Sequence, residues 1–206
     1  MAGIERMGKL LSLTEIVNRV GVWVGGLLMF FTSAMIAVEV VLRKVFAISM
    51  GGADEISSYV LAISCSWAFG FALLRKAHIR IDIFYAKMGQ RLQSLLDLLS
   101  LLTFLVYQIP LVYFAWLVVK TSIIRNSAAN TPLHTPLWIP QGLWFLGLVC
   151  FLLTTVVLLV SSVARLARGD LEGARALTGP NTIEDEIKEE GASLPEAKTP
   201  SDGGFR

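Results

Sequence analysis

Cysteine and histidine are scarce in this sequence, and their scarcity excludes several kinds of chemistry. Among 206 residues there are two cysteines and two histidines. Cys65 and Cys150 both lie inside apolar blocks, so they can build neither a disulfide framework nor a thiolate metal site, and we interpret them as small packing residues. His78 and His134 lie in two separate polar connectors, so they cannot jointly ligate a haem among the apolar segments.

Charged residues are missing from four long stretches of the chain. Nineteen uncharged residues separate Arg19 from Glu39, nineteen more run over 56–74, twenty-two over 98–119, and none of residues 126–164 is charged. About 20 apolar residues in a helix cross the hydrocarbon of a bilayer, and an isolated segment in lipid satisfies its backbone only as a helix. The sequence therefore predicts an all-α integral membrane protein whose four transmembrane helices cover about 20–42, 55–75, 96–120 and 138–165.

Recognisable catalytic motifs are also missing. The sequence has no P-loop, nucleophile elbow, zinc-protease helix or pair of carboxylates inside a span. Because ionisable groups inside a membrane are costly and are kept for a use, the nearly empty span centres predict that the chain is not an enzyme and holds no metal or cofactor. No internal repeat is visible, which disfavours a self-sufficient transporter built from inverted halves.

The charges that are present are distributed unevenly between the connectors. The N-terminal segment, the connector after span two and the segment after span four together carry eleven Lys and Arg residues, whereas the other two connectors carry four. Basic residues favour the cytoplasmic side of a membrane, so both termini are predicted to be cytoplasmic. The basic residues flank apolar blocks and form no aromatic-interleaved patch, so the predicted partners are membrane lipids and not nucleic acid.

The two ends of the chain differ from the membrane part, which we place at 19–168. In 1–18, apolar residues recur at near-helical spacing among charged ones, which predicts an amphipathic interfacial helix on the cytoplasmic surface, or alternatively a plain lead-in to span one. Residues 169–206 carry nine acidic and four basic residues and few large apolar ones, which predicts an acidic, largely disordered cytoplasmic tail. No signal-peptide pattern is apparent, so the first span is expected to remain in the mature protein.

Polar residues cluster at the span boundaries. Glu39 and Arg43 are four residues apart near the end of span one, and Asp54 and Glu55 open span two. This spacing predicts a local ion pair between Glu39 and Arg43; packing of spans one and two would alternatively place Arg43 against Asp54 or Glu55. Two simpler interpretations stay open: solvated or snorkelling end residues, and an acidic helix N-terminus that needs no partner.

Three further features lie in span three and in the connectors. The connector RKAHIRIDIFYAKMGQRLQ after span two is either a cytoplasmic docking surface or an ordinary positive-inside hairpin. Before span four, Pro132, Pro136 and Pro140 forbid a continuous helix and predict a rigid, extended approach. Gln108 and Pro110 in span three indicate either a kink with an interhelical hydrogen bond or a tolerated membrane proline.

The order of these features resembles the DctQ-type small permease family of tripartite ATP-independent periplasmic (TRAP) transporters, over about residues 16–166. Four segments carry the resemblance: VVLRKVF, GGADEISSYVL, ALLRKAHIRIDIF and PLWIPQGLW. The residues that the resemblance assigns to the subunit interface or to structure are Arg43, Asp54, Glu55, Arg75, His78, Asp82, Pro136, Trp138 and Pro140.

The resemblance implies a function in the bacterial inner membrane. In that family, a periplasmic substrate-binding protein delivers an organic anion, and a large permease subunit carries it inward in symport with sodium. This chain would then be a scaffold beside the large subunit, with sodium bound by the large subunit and no cofactor of its own. The acidic tail matches no feature of the family that we can name.

Two other functions stay open on the sequence. One is a stand-alone membrane protein with four spans that serves assembly or structure. The other is a small multidrug exporter, which needs an essential carboxylate well inside a span. Glu39 is the only candidate for that carboxylate and lies too near the end of its span. Exporter function would predict that Glu39→Gln abolishes drug efflux.

Overall fold

The computed structural model describes residues 2–76 and 88–179, and this part of the chain is almost entirely helical. Four of its helices are long and apolar enough to cross a membrane, so the predicted all-α architecture with four transmembrane helices is confirmed. The helices are α1 (Ala2–Val41), which continues into a π-helical turn (Leu42–Phe46), α2 (Ala53–Leu74), α3 (Gln90–Ile124), α4 (Trp138–Leu166) and the short α5 (Leu171–Thr178).

Two of the helices are longer than the predicted spans. α1 has 40 residues and α3 has 35, or about 60 and 52 Å at roughly 1.5 Å per residue. Because the hydrocarbon core of a bilayer is only about 30 Å thick, both helices must tilt or project beyond it. α1 runs without a break from Ala2 into the first span, so the segment for which an interfacial helix is predicted is continuous with that span. Its placement in the membrane interface stays a prediction.

The helices pack in the order α1, α2, α4, α3. α2 contacts both α1 and α4, and α4 contacts both α2 and α3. The apolar centre is small, and Phe151 of α4 joins its parts: the Phe151 ring lies 5.6 Å from Phe69 of α2 and 6.4 Å from Phe104 of α3, between centroids. Most large apolar side chains point outward, as expected when lipid or an apolar partner is the surrounding medium.

Small residues let α1 and α2 approach each other closely. Gly21 of α1 faces Trp67, and a Cβ at Gly21 would lie 2.7 Å from Trp67 Cε3. One turn later, Gly25 faces Ser64, whose hydroxyl donates a hydrogen bond of 3.1 Å to the Gly25 carbonyl oxygen. Helices in membranes associate through small residues of this kind, because lipid provides no hydrophobic drive between them. Gly26, by contrast, faces open space.

Hydrogen bonds tie α4 to α1 and to α2 inside the bundle. The Asn18 amide of α1 donates to Thr154 Oγ1 of α4 at 2.9 Å and to the Thr14 carbonyl oxygen at 2.7 Å. Trp67 Nε1 of α2 donates to the Leu143 carbonyl oxygen of α4 at 3.1 Å. Such interhelical bonds contribute on average about 0.6 kcal/mol each in a membrane protein. They fix the rotation of α1 and α2 against α4.

Gln108 of α3 is an exception to this pattern. It is 1% exposed, and neither its amide nitrogen nor its amide oxygen has a hydrogen-bond partner among the described residues. α3 continues without interruption through Pro110. Of the two interpretations offered by the sequence, the described structure favours a tolerated proline, because it contains no interhelical bond from Gln108.

The predicted tail begins with a short ordered helix. α5 follows α4 after a turn at Gly169, and the Gly173 amide donates a hydrogen bond of 2.8 Å to Asp170 Oδ1. This contact satisfies one of the amides that a helix N-terminus leaves open. α5 packs against α4 and α3. Residues from Pro180 onward lie outside the described part of the chain.

Candidate functional site

Polar side chains concentrate where the α1–α2 connector (47–52) meets the α3–α4 connector (125–137). We call this region the loop end. The start of α1, the other end of α2 and α5 lie at the opposite end of the bundle. The distribution of basic residues predicts that the loop end faces the periplasm.

Glu39 is the first anchor of the loop end. It lies in the last turns of α1 and is 4% exposed. Its Oε1 accepts hydrogen bonds from Arg43 Nη2 at 2.8 Å and from Ser49 Oγ at 2.7 Å, while its Oε2 accepts from the Met50 amide at 2.8 Å. These donors come from both sides of the bend at Ala47, whose φ is 52°. The carboxylate therefore fixes the path of the connector back toward α2.

Glu55 is the second anchor. It lies in the first turn of α2, is 7% exposed, and accepts a hydrogen bond of 3.0 Å from Tyr59 Oη. Its other oxygen accepts a hydrogen bond from the Thr131 hydroxyl in the α3–α4 connector. Hydrogen bonds to an ionised carboxylate are about twice as strong as neutral ones. Glu55 thus fastens the second connector to the start of α2.

The α3–α4 connector is a compact hairpin. The Ala129 amide donates to the Thr135 carbonyl oxygen at 2.9 Å, and the Leu137 amide donates to the Ser127 carbonyl oxygen at 3.0 Å. At its tip, the His134 backbone adopts a left-handed φ of 47°.

The prolines of this connector fit the hairpin and the helix that follows. Pro136 forms an isolated antiparallel bridge with Ala128. Pro140 is in the first turn of α4, where a missing N–H leaves no helical bond unmade. The described connector is non-helical, as its prolines predict. It is a compact hairpin and not the extended approach that was predicted, because hydrogen bonds between its two sides fold it back on itself.

The two connectors also pack against each other. A Cβ at Gly52 would overlap the Leu133 side chain, and a Cβ at Gly51 would lie 3.6 Å from Pro132 Cβ. Gly51 has a left-handed φ of 71°, which other residues rarely adopt. The loop end is therefore one connected unit, built from two loops and two buried carboxylates.

Six of the nine predicted interface or structural residues lie at the loop end. The sequence left open whether Arg43 pairs with Glu39, Asp54 or Glu55. In the structure Arg43 pairs with Glu39. Asp54 is exposed beside buried Glu55, as a helix N-terminal charge would be. Pro136 and Trp138 are exposed, and Pro140 is buried.

The other three predicted residues belong to the opposite end of α2 or lie outside the described part. Arg75 ends α2, with its guanidinium carbon 5.5 Å from the centroid of the Phe71 ring. His78 and Asp82 lie outside the described residues. The structure therefore does not gather all nine residues at one place.

Several residues that shape the fold are missing from the predicted set. The sequence suggested Glu39 only as an ion-pair partner of Arg43 or as the carboxylate of an exporter. No sequence pattern indicates that Tyr59 and Thr131 bind Glu55. Gly21 and Gly25, however, have the G-x-x-x-G spacing typical of close helix contacts in membranes. That spacing could have indicated a contact face on α1, although not that α2 is the helix that packs on it.

The hydrogen bonds of the loop end hold its two connectors in fixed positions against the helices. Each buried carboxylate accepts hydrogen bonds from donors of this chain, and each joins a helix to a connector. Among the described residues, no group of three His, Cys, Asp or Glu is placed to hold a metal ion.

Comparison with known proteins identifies the family. The sequence model of the family described as "Tripartite ATP-independent periplasmic transporters, DctQ component" matches residues 32–166. This range covers more than half of the chain and includes both buried carboxylates of the loop end and the α3–α4 hairpin. No curated protein and no solved structure matches the chain. The chain therefore belongs to the DctQ family and is a small membrane subunit of a TRAP transporter, a multi-pass protein of the inner membrane.

Proposed function

We propose that this subunit is a rigid scaffold for the large permease subunit of its transporter. The large subunit would carry an organic anion, delivered by a periplasmic substrate-binding protein, inward in symport with sodium. The observation that carries the proposal is the use of the two buried carboxylates of the loop end, which lie in the family-matched region: Glu39 and Glu55 are engaged in holding the loops. We expect sodium to bind the large subunit, and we expect this chain to need no cofactor.

The lateral surface supports a scaffold role. Trp23 and Phe30 of α1 are 76% and 69% exposed, and Phe114 of α3 is 62% exposed. α1 and α3 are the outer helices of the row, so each offers a long apolar face to the membrane. Such faces can pack against helices of a large subunit through van der Waals contact.

Arg43 is the polar residue best placed to reach a partner at the loop end. Its side chain is 59% exposed while it pairs with Glu39 through Nη2. A guanidinium carries five N–H donors in a fixed fork, so donors are left for a carboxylate or carbonyl oxygen of another subunit. Glu39 holds Arg43 in position for such a contact.

The first experiment is affinity purification of the tagged full-length chain from its native membrane in mild detergent, followed by mass spectrometry. We expect one large polytopic membrane protein to co-purify at near-stoichiometric amounts. Recovery of the chain without such a protein would contradict the proposal and favour a stand-alone membrane protein with four spans. The recovered pair, reconstituted with the binding protein, should take up substrate only with an inward sodium gradient.

A substitution at Arg43 tests its role in the complex. Arg43→Glu reverses the exposed charge, and we expect it to reduce co-purification of the large subunit more than it changes the apparent substrate affinity of uptake. Arg43→Gln is the matched control, because it removes the charge without placing a second carboxylate beside Glu39. Unaltered co-purification and uptake in Arg43→Glu would remove Arg43 from the interface.

A further inference from the structure

A cavity of about 290 Å³ with a largely apolar lining and two arginines lies at the end of the bundle opposite the loop end. Its walls come from the N-terminal part of α1, the last turns of α4 and the turn before α5. The residues that matter for its chemistry are Leu11, Ser161, Ala164, Arg165, Arg168 and Asp170. It is separate from the carboxylates of the loop end and outside the role proposed above.

The charge of the cavity is positive. Two guanidinium groups, those of Arg165 and Arg168, face one carboxylate, that of Asp170. Asp170 Oδ1 accepts the Gly173 amide, and Arg165 Nη1 donates to the Gly173 carbonyl oxygen at 3.1 Å. The Arg168 side chain has no hydrogen-bond or ion-pair partner within 2–76 and 88–179. The guanidinium donors left over suit an anion with several oxygen acceptors.

Ser161 is a second, independent indication of a ligand. It lines the cavity and is 1% exposed, and its hydroxyl has no partner among the described residues. A buried hydroxyl without a partner is unfavourable, so a ligand oxygen that accepts from it would remove that penalty. The next residue, Ser162, is equally buried and also lacks a described partner, but it does not line the cavity.

The size and the walls of the cavity indicate what kind of anion fits. Water occupies about 30 Å³ per molecule in the liquid, so the cavity has room for a phosphate together with a small polyol. Leu11 and Ala164 give it an apolar side next to the arginines. A phosphate that carries apolar chains suits such a mixed site at the end of two spans, and basic pockets between membrane helices on the cytoplasmic side bind anionic headgroups.

We propose that this cavity binds the phosphate group of an anionic phospholipid of the phosphatidylglycerol type. Arg165 and Arg168 donate hydrogen bonds to the phosphate oxygens, and the Ser161 hydroxyl donates a third. Leu11 and Ala164 contact the start of the acyl chains. The bound lipid joins α1 to α4 and α5 at the end of the bundle opposite the loop end.

The test uses the full-length chain in a nonionic detergent, titrated with phosphatidylglycerol and read by native mass spectrometry. We expect one tightly retained phosphatidylglycerol, bound in preference to phosphatidylcholine. Arg168→Gln should weaken its binding about tenfold, as expected for the loss of one charge-assisted hydrogen bond. Ser161→Ala should weaken it severalfold. Equal retention of both lipids, or unchanged binding in both variants, would overturn the proposal.

Matched controls separate the cavity from general effects of charge and packing. Ser162→Ala removes an equally buried hydroxyl outside the cavity, and Arg19→Gln removes an exposed arginine of α1 that pairs with Glu15. Neither should change lipid retention. If either control weakens binding as much as the cavity variants do, the site is not the one proposed here.

Two further experiments distinguish a phospholipid from the other anions that could occupy the cavity, namely free phosphate and the carboxylates of the acidic tail. Inorganic phosphate, added at the concentration at which phosphatidylglycerol saturates the site, should not displace the lipid. Displacement would contradict the lipid proposal and indicate a site for free phosphate. A chain that ends at residue 179 should bind lipid as the full chain does. If phosphatidylglycerol binds only after removal of 180–206, carboxylates of the acidic tail occupy the cavity, and the proposal fails for the intact chain.

Discussion

At the scale of single residues, burial separates the acidic side chains of the loop end into two kinds. Glu55 is buried, and its carboxylate joins α2 to the α3–α4 hairpin through Thr131. Asp54 is its neighbour in sequence but is exposed. Because both are carboxylates in the same helical turn, the pair isolates the effect of the hydrogen bonds from the effect of charge at a helix N-terminus.

We expect Glu55→Gln to lower the free energy of unfolding by about 1.5–3 kcal/mol, as is typical for hydrogen bonds to a charged group. The amide keeps the shape of the side chain but presents one oxygen in place of two. Asp54→Asn is the control and should change stability by no more than about 0.5 kcal/mol. Thermal unfolding in detergent, followed by tryptophan fluorescence, measures both. Equal effects would show that Thr131 and Tyr59 add nothing to the anchor.

For Gln108 we expect the opposite effect on stability: removal of its polar atoms should stabilise the protein. Its buried amide has no partner in the described structure, and such a group costs about 1–3 kcal/mol. Gln108→Met keeps the length of the side chain and removes the polar atoms, so we expect the midpoint of thermal unfolding to rise. Asn18→Leu should lower it, because the Asn18 amide makes two hydrogen bonds. A fall in Gln108→Met would reveal a partner for the amide.

At the scale of the helices, the contact between α1 and α2 depends on the face of α1 that carries Gly21 and Gly25. Trp67 and Ser64 of α2 fill the space over these glycines. The adjacent Gly26 points away from the bundle, into open space. Neighbouring glycines of the same helix therefore have different tolerance for a side chain.

Gly25→Leu should disrupt the contact between α1 and α2, whereas Gly26→Leu should not. A leucine at Gly25 meets Ser64 atoms at 3.2–3.4 Å from its Cβ alone, and overpacking of this kind costs about 1–3 kcal/mol. The yield of monodisperse protein in detergent and the midpoint of thermal unfolding report the difference. If Gly26→Leu is the more damaging substitution, α1 does not pack on α2 through the face that carries Gly21 and Gly25.

At the scale of the whole molecule, the row α1, α2, α4, α3 has chemically different ends. The loop end is built on two buried carboxylates, and the opposite end carries the arginine-lined cavity and α5. The positive-inside rule predicts that the arginine end is cytoplasmic, with both termini on that side. In this predicted orientation the loop end faces the periplasm.

Labelling of introduced cysteines in intact cells tests the orientation. In a background without Cys65 and Cys150, we expect a membrane-impermeant maleimide to label His134→Cys, at the exposed tip of the hairpin, from the periplasm. Ala167→Cys, in the exposed turn after α4, should react only after the membrane is permeabilised. The reverse pattern would invert the topology and place the arginine cavity in the outer leaflet.

The four spans were predictable because whether a segment can cross the membrane depends only on its own length and composition. The length of an uncharged run decides whether a helix can cross hydrocarbon. Three of the four uncharged runs lie within the helices that can span a membrane, and the fourth, 126–164, also includes the polar connector before Trp138. The Glu39–Arg43 pair was among the predicted pairings because the spacing of a helix places residues four apart side by side. That the connector before α4 is not helical was predictable from its prolines, whereas its hairpin shape was not. These features depend on neighbours in sequence.

Contacts between distant segments depended on the tertiary structure. Thr131 lies 76 residues from Glu55, and Thr154 lies 136 residues from Asn18, so nothing in the local pattern relates the members of either pair. The burial of Glu39 follows from the fold of the α1–α2 connector, whose Ser49 and Met50 donate to the carboxylate. The sequence by itself determined which segments enter the membrane, since lipid acts on each segment separately. Only the packing of helices decided which polar side chains meet, because each needs a partner supplied by another segment.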